Sequence, residues 1–343
     1  MKTVFRNLLI ILIVLAAVAT GVGFFHSRSP VRQGSTHIIY DQTGRKVQIP
    51  MRVNRVVTSM YPIATQIVFM LGAQDCLVGI SDYDVNGVMK RIYPAIERIP
   101  RPTRSAGQEI GVEEILKLKP DLVFTHFRSN VDALSALGIP SVCLRLESPD
   151  ALIEGILLTG KIMNREDRAR QIVQYYRQKL SEIRKRTEII QQKKTVYFAG
   201  PSMLTTASGE HYQNFLIESA SGINTAGESR GGWASISIEQ LLKWNPDLIF
   251  IGNYGTARVG SFTGDSRLSD VAAVRRGNVF MSRFYIGSWD VPTPESILGI
   301  MWLAGKLYPE HIRFNMAEEM TYFYSTFYGY TPSSDEIEAV LAE

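Results

Sequence analysis

The sequence has little of what metal clusters and disulfide scaffolds require. Its 343 residues include two cysteines, Cys76 and Cys143, and five histidines that are scattered along the chain. Two cysteines are too few for a zinc cluster or a disulfide framework. A single disulfide remains open if the compartment is oxidising. Both cysteines lie in apolar settings ("DCLVGI" and "SVCLRL"), so two buried free thiols are an equal alternative.

The local motifs of common enzyme classes are also absent. The sequence has no GxSxG, no HExxH, no P-loop and no glycine-rich dinucleotide turn. No two histidines have the spacing of metal ligands on a helix. The formal net charge is a mild +4 without a basic cluster, so nucleic acid is not an expected partner. We therefore expect neither catalysis nor a resident cofactor.

The first thirty residues carry a long apolar run. It follows Lys2, begins at Leu8 and contains a small-x-small pattern at Ala17 and Ala19. This is typical of a Sec-type signal peptide over residues 1–30, which places the rest of the chain outside the cytoplasmic membrane. The apolar run reaches Phe25, about 18 residues, so an uncleaved membrane anchor is the alternative. No cysteine lies nearby, which excludes a lipoprotein acylation site.

Beyond this segment, short apolar strands alternate with amphipathic helices. A hairpin is predicted over residues 37–50, followed by the strands "RVVTSM", "DLVF" and "PSVCLRL", and later by "TVYFAG", "DLIFI" and "NVFMSR". This alternation indicates βαβ units on mostly parallel sheets. We predict an N-terminal α/β lobe over residues 31–160 and a C-terminal α/β lobe over residues 194–343, which ends in helices.

Between the two strand-rich regions lies a long helical pattern. From Asp167 to about Gln192 one apolar stripe runs through a charged sequence. A helix of ~25 residues would be ~37 Å long. We therefore predict that residues 161–193 link the two lobes through one rigid helix.

A twelve-residue segment occurs twice. "EEILKLKPDLVF" begins at Glu113, "EQLLKWNPDLIF" begins at Glu239, and seven of the twelve positions are identical. In each copy a helix is stopped by proline and is followed by a buried strand. A glutamate at a helix start is favoured by the helix dipole. Ligands bind at the carboxyl ends of strands in open α/β sheets, so two such lobes predict a cleft between them.

Aromatic and polar side chains follow the predicted strands of the first lobe and lie in or beside the loops of the second. A cleft lined by aromatic rings and a few polar groups suits a bulky small molecule. Arg128 would give an anionic ligand a permanent charge and a planar set of donors. His126 and His211 are candidates for completing the coordination of a bound metal. The predicted ligand-binding residues are Tyr61, Tyr83, His126, Arg128, His211, Tyr212, Trp233, Tyr254, Tyr285 and Trp289.

Three stretches resemble a known family. They are "RVVTSMYPIATQIVFMLGAQDCLVGISDYD", the repeated E-x-x-L-K-x-x-P-D-L element and "WDVPTPESILGIMWLAGKLYP". Over about residues 37–330 the chain is similar to the substrate-binding proteins of ABC importers for iron–siderophores, haem and cobalamin. The resemblance implies two α/β lobes joined by one long rigid helix, with the ligand in the cleft between them. It also implies a monomer that delivers its ligand to a permease dimer with its ATPase, and that meets the membrane surface through the permease or an N-terminal anchor.

The resemblance assigns roles to individual residues. In that family one surface glutamate on each lobe docks with permease arginines, and Glu113 and Glu239 match these positions by motif. Tyr83, His126 and Trp233 match positions where cobalamin-binding members line the cleft with aromatic rings. His126 stands where those members have tryptophan, which argues against cobalamin.

The resemblance specifies the role better than the ligand. The closing segment looks most like a subgroup that includes ferric-siderophore binders and a molybdate or tungstate binder. We expect a metal chelate, and a ferric siderophore first. Molybdate or tungstate, haem, cobalamin and a nickel complex are alternatives in the same role. A membrane-anchored sensor and a metal-chelate enzyme are the alternatives from other classes.

Overall fold

The structure is a computed structural model that describes residues 35–59, 63–104 and 109–342. His37–Glu343 forms one compact unit. The predicted signal or anchor over residues 1–30 and the predicted ligand residue Tyr61 lie outside the described residues. Within the described ranges, no helix combines the length and the apolar character that a membrane span would need.

The first half of the unit is built on a parallel sheet. The strands of this half are β1 (Thr36–Tyr40), β2 (Lys46–Pro50), β3 (Val56–Ser59), β4 (Leu77–Gly79), β5 (Thr103–Arg104), β6 (Glu109–Ile110), β7 (Leu122–Thr125) and β8 (Ser141–Cys143). Four of them form the sheet in the order β4–β3–β7–β8, and every pairing in it is parallel. β1 and β2 form a separate two-stranded sheet, as the predicted hairpin requires, and β5 pairs with β6.

Helices surround this sheet and lead away from it. They are α1 (Ile63–Met70), α2 (Gly87–Ile92), α3 (Val112–Leu118), α4 (Arg128–Ala136), α5 (Pro149–Ile162) and α6 (Glu166–Thr187), and 3₁₀ turns cover Gln74–Cys76, Asp82–Asp84 and Pro94–Arg98. α1 is buried at every position, which fits its nearly unbroken apolar sequence.

The second half repeats the plan with an antiparallel extension. Its strands are β9 (Thr195–Ala199), β10 (Thr205–Ala207), β11 (Ile223–Asn224), β12 (Trp233–Ser235), β13 (Leu248–Ile251) and β14 (Val279–Met281). β11, β9, β13 and β14 pair in parallel, whereas β10 is antiparallel to both β9 and β12. The predicted α/β class with mostly parallel sheets is thereby confirmed. β10 and β12 are not predicted from the sequence, because strands of three residues show no usable alternation.

The helices of this half close the chain. They are α7 (Tyr212–Ser219), α8 (Ile238–Trp244), α9 (Val259–Thr263), α10 (Ala272–Arg275), α11 (Ser296–Leu307), α12 (Met316–Tyr328) and α13 (Ser334–Leu341), with a 3₁₀ turn at Ser266–Leu268. The largest hydrophobic core contains residues of both sheets, of α6 and of α11 and α12. The two halves therefore share buried surface.

The long helix α6 lies between the two halves in the chain. It has 22 residues and ends at Thr187, earlier than the predicted end near Gln192. The Thr187 hydroxyl donates back to the Ile183 carbonyl at 3.0 Å. Tyr176 attaches the helix to the second half, because its hydroxyl lies 2.7 Å from Ser296 Oγ.

The repeated segment folds the same way in both halves. α3 and α8 each end at a left-handed residue, Lys119 (φ 46°) and Asn245 (φ 43°), and proline follows. The next residue is an aspartate in both copies. Asp121 Oδ2 accepts the N–H groups before β3 at 2.9 and 3.0 Å, and Asp247 Oδ2 accepts the N–H of Thr195 at 3.0 Å. Each aspartate thus ties the helix–strand connection to the start of the neighbouring strand.

The two cysteines are free thiols in the structure. Cys143 is buried on β8 and Cys76 is partly buried. Burial raises the pKa of both thiols. Of the two alternatives that the sequence leaves open, the structure therefore has the free thiols.

Candidate functional site

Trp233 is the centre of a ring cluster in the second half of the unit. It lies on β12 and is 37% exposed. Its ring stacks on Phe198 at a centroid distance of 6.1 Å and an interplanar angle of 24°. It also covers Gly200, where a Cβ atom would lie 2.1 Å from the ring atom Cζ3. Glycine at position 200 is therefore what allows the indole to lie flat against the end of β9.

Two further rings flank this indole. The His211 ring lies 4.2 Å from the Trp233 ring at 44°, and the Tyr254 ring lies 6.1 Å away at 57°. His211 immediately precedes α7, and Tyr254 lies in the loop after β13 and is 43% exposed. The structure thus brings three predicted ligand residues together, and we call His211, Trp233 and Tyr254 the ring cluster. Burial lowers the pKa of His211 while a contact with Gln213 opposes the shift.

The first half of the unit presents Tyr83 and His126 at the carboxyl end of its sheet. Tyr83 is 54% exposed on the 3₁₀ turn after β4. His126 follows β7, and its Nδ1 lies 3.0 Å from the carbonyl oxygen of Leu144. Since a carbonyl accepts, Nδ1 of His126 carries the hydrogen. The lone pair of the neutral ring is then on Nε2.

Arg128, which is predicted to lie in the loop after the strand "DLVF", is the exposed first residue of α4. Its Nε lies 3.2 Å from Asp132 Oδ1, and both side chains are about two-thirds exposed, at 69% and 66%. Exposed pairs of this kind are weak. The guanidinium can therefore leave Asp132 for an anionic ligand at little cost.

Three other predicted ligand residues are interior in this structure. Tyr212 and Tyr285 are each 4% exposed, and Trp289 is 0% exposed. The Tyr212 hydroxyl donates to Ser296 Oγ at 2.6 Å, and the Tyr285 ring packs against Tyr324 at 4.6 Å. The expectation that these three side chains line an open cleft does not hold here. α11 and α12 cover them, and loop position alone does not reveal that packing.

Among the residues that the structure describes, no group of three or more His, Cys, Asp or Glu side chains could hold a metal ion. The metal-ligand candidates His126 and His211 therefore stand as single imidazoles, each on its own half of the unit.

Buried polar groups that the sequence does not mark as functional support the loops around the site. Asp84 accepts the Thr65 hydroxyl and the Ser81 N–H, each at 2.8 Å. Burial raises the pKa of Asp84 to about 7. Asn86 Nδ2 donates to the Ile286 carbonyl at 2.7 Å and so joins the loops of the two halves. Asp84 ends the stretch "DCLVGISDYD", in which no hydrophobic periodicity predicts that this carboxyl is buried.

Glu113 and Glu239 occupy equivalent exposed positions. Each lies in the first turn of its helix, α3 or α8. The hydroxyl of Ser237 and backbone N–H contacts lower the pKa of Glu239. One turn later, Leu116 and Leu242 are 40% and 38% exposed. The two halves therefore present the same acidic and apolar pair.

Two surface cavities open elsewhere on the second half. One of about 480 Å³ is lined by Lys194, Asp247 and Arg276, among others. The other, of about 720 Å³, is lined by Asn214, Asn224 and Trp244, among others. Lys194 and Asp247 precede β9 and β13, so the first cavity lies at the amino ends of these strands. Neither cavity includes a residue of the ring cluster.

Comparisons with known proteins place the chain among periplasmic solute-binding proteins. A family model described as periplasmic binding protein matches residues 57–285. The molybdate-binding protein MolA of Haemophilus influenzae is 26% identical over 321 residues, which cover 85% of this chain and 90% of that protein. The vitamin B12-binding protein of Yersinia pestis is 28% identical over 207 residues, which cover 59% of this chain and 71% of that protein. The crystal structure of a periplasmic solute binding protein from Veillonella parvula superposes with a TM-score of 0.79 at 25% identity, covering 90% of this chain and 97% of that one.

Proposed function

Because the chain belongs to the periplasmic binding protein family, we propose that it is the solute receptor of an ABC importer and delivers a metal chelate to the permease. Its family and its structural neighbours are solute-binding proteins, so it is not an enzyme. The family is extracytoplasmic. Residues 1–30 would then act as an export signal. The mass of the protein isolated from cells distinguishes a cleaved signal from an anchor that stays attached.

The ring cluster is the observation that carries the ligand proposal. Trp233 and Tyr254 are partly exposed on the second half, and Tyr83 is partly exposed at the carboxyl end of the first sheet. Partly exposed rings with few polar groups suit a bulky chelate with aromatic or apolar arms. Arg128 would attract its negative charge. A ferric siderophore has these properties, and imidazole nitrogens are suitable ligands for iron.

Molybdate is the second candidate, and one observation favours it. MolA, which is described as a molybdate-binding protein, matches 85% of this chain. A small oxyanion would need convergent donors instead of apolar ring faces. Arg128 and the hydroxyl of Tyr83 could supply such donors.

A fluorescence titration of the full chain separates the two candidates. We expect Trp233 to be quenched by a ferric catecholate complex, and the Trp233→Phe variant to lose that signal. Trp244 packs against Tyr197 at 6.3 Å, away from the ring cluster, so Trp244→Phe is the matched control and should keep the signal. A fluorescence change with molybdate alone would keep the receptor role and make molybdate the ligand. No fluorescence change with ferric complexes, haem, cobalamin, nickel–histidine or molybdate would contradict the receptor proposal.

The permease contact is tested with the two repeated glutamates. The double variant Glu113→Arg, Glu239→Arg should abolish uptake in cells that carry the transporter, while ligand affinity in vitro stays unchanged. Glu154→Arg changes another exposed acid, on α5, and should leave uptake intact. Loss of ligand affinity in the double variant, or normal uptake, would show that these acids do not dock the permease.

A further inference from the structure

Gln213 joins the two rings that flank Trp233. It lies in the first turn of α7, and its side chain is 2% exposed. Its Oε1 contacts Nδ1 of His211, and its Nε2 lies 3.2 Å from Tyr254 Oη. A buried amide without partners would destabilise the fold. Gln213 therefore holds both rings in place and is itself held by them.

The orientation of the Gln213 amide sets the direction of these hydrogen bonds. Its Nε2 donates to Tyr254 Oη, so its oxygen is the group that faces His211. An amide oxygen can only accept a hydrogen bond, so Nδ1 of His211 must carry the hydrogen.

We propose that Gln213 is a positioning residue that fixes His211 as the Nδ1–H tautomer, so that the ring cluster offers the ligand a lone pair at His211 Nε2. This inference rests on the proposed function, because it supposes that the ring cluster receives the solute. A lone pair beside the Trp233 face suits a metal centre with an open coordination position or a ligand N–H or O–H group. It repels the oxygens of a bare oxyanion. Within the proposed role, Gln213 therefore favours a chelate over molybdate.

The tautomer can be measured without any ligand. In the full chain with ¹⁵N-labelled histidine, the His211 signals, assigned with His211→Phe, should show a protonated Nδ1 and an unprotonated Nε2. Gln213→Leu removes the amide at similar volume and should give a mixture of tautomers. Gln213→Glu retains an oxygen acceptor and should restore Nδ1–H. An Nε2–H tautomer in the unmodified chain, or an unchanged tautomer in Gln213→Leu, overturns the proposal.

Ligand titration then tests what the tautomer does. With a ferric catecholate complex as the probe, Gln213→Leu should weaken binding about tenfold or more, because one buried hydrogen-bond network is lost. Gln213→Glu should recover most of the affinity, and Gln240→Leu on α8 should change nothing. Unchanged affinity in Gln213→Leu would overturn the positioning role. If the tautomer is as expected and no probe binds, the proposed function fails while the assignment of Gln213 to His211 stands.

Discussion

Glu295 provides a quantitative test of the packing around the start of α11, where Gly287, Trp289 and Tyr324 surround it. Its side chain is 0% exposed, and its Oε2 accepts the N–H of Gly287 at 3.0 Å. Tyr324 on α12 and Trp289 also lie close enough to influence its titration. Burial is the dominant effect and raises the pKa of Glu295 to about 8. The carboxyl is therefore neutral in the folded protein at pH 7.

The sign of the pH dependence follows from this shift. In the unfolded chain the carboxyl titrates near its ordinary value of 4.5, whereas the folded protein keeps the proton up to about pH 8. Between these values unfolding releases a proton, so the free energy of unfolding falls as the pH rises. At 1.36 kcal/mol for each pKa unit, the full loss is roughly 5 kcal/mol, and about 3 kcal/mol of it has occurred by pH 7.

Glu295→Gln keeps the shape and removes the titration. We expect the variant and the unmodified protein to be similarly stable at pH 5, and the variant to gain an advantage that grows towards pH 8. Urea unfolding at pH 5, 6, 7 and 8 measures the difference in the free energy of unfolding between the two proteins. The titration of Asp84, His211 and all other groups is the same in both proteins and cancels from this difference. Glu154→Gln, at an exposed site, should show no such trend. A difference that stays constant with pH would mean that Glu295 is charged in the folded protein and would refute the reasoning.

Two further predictions concern the ring cluster and the C-terminal helix. Gly200→Ala should displace Trp233, because the new Cβ atom would lie 2.1 Å from its ring. We expect a red-shifted tryptophan emission and a loss of about 1–3 kcal/mol of stability. The control Gly260→Ala, whose new Cβ atom would have nothing within 4 Å, should change neither the emission nor the stability. Arg91 and Glu336 pair the first half with α13, and their side chains are 50% and 19% exposed. A double-mutant cycle should give a coupling below about 1 kcal/mol. An unshifted emission in Gly200→Ala, or a coupling well above this value, would contradict the respective argument.

The architecture could be predicted because its signals are local. Short stretches of sequence are enough to show where the helices end at Pro120 and Pro246 and that buried strands follow. The apolar stripe of α6 is visible in the same way. Boundaries were less accurate: α6 ends at Thr187, where a side chain bonds the backbone of the preceding turn. Such a contact has no periodic signal in the sequence.

The site was only partly predictable, because orientation depends on distant packing. From the sequence, Trp233 and Trp289 are both predicted to lie in or beside loops. The structure exposes the first and buries the second completely, since α11 packs so closely that a Cβ at Gly299 would lie 2.2 Å from the Trp289 carbonyl oxygen. Gln213 follows the predicted ligand residue Tyr212 but is not itself predicted. Its role depends on contacts with His211 and Tyr254, and the sequence does not show that these side chains lie together.

The repeated segment gives the two halves a common geometry that relates Glu113 and Glu239 to the loops after β7 and β13. In a βαβ unit the helix runs antiparallel to the strands, so α3 and α8 start near the edge of the sheet where β7 and β13 end. A seven-residue helix spans about 10 Å and a four-residue strand about 13 Å, so little offset accumulates. The left-handed residue, the proline and the aspartate that ties each connection to the neighbouring strand fix this return. Glu113 therefore lies at the same sheet edge as His126, and Glu239 at the same edge as Tyr254. A partner that contacts both glutamates would thus lie over the sheet edges that carry His126 and Tyr254, as the proposed delivery of a solute to a permease requires.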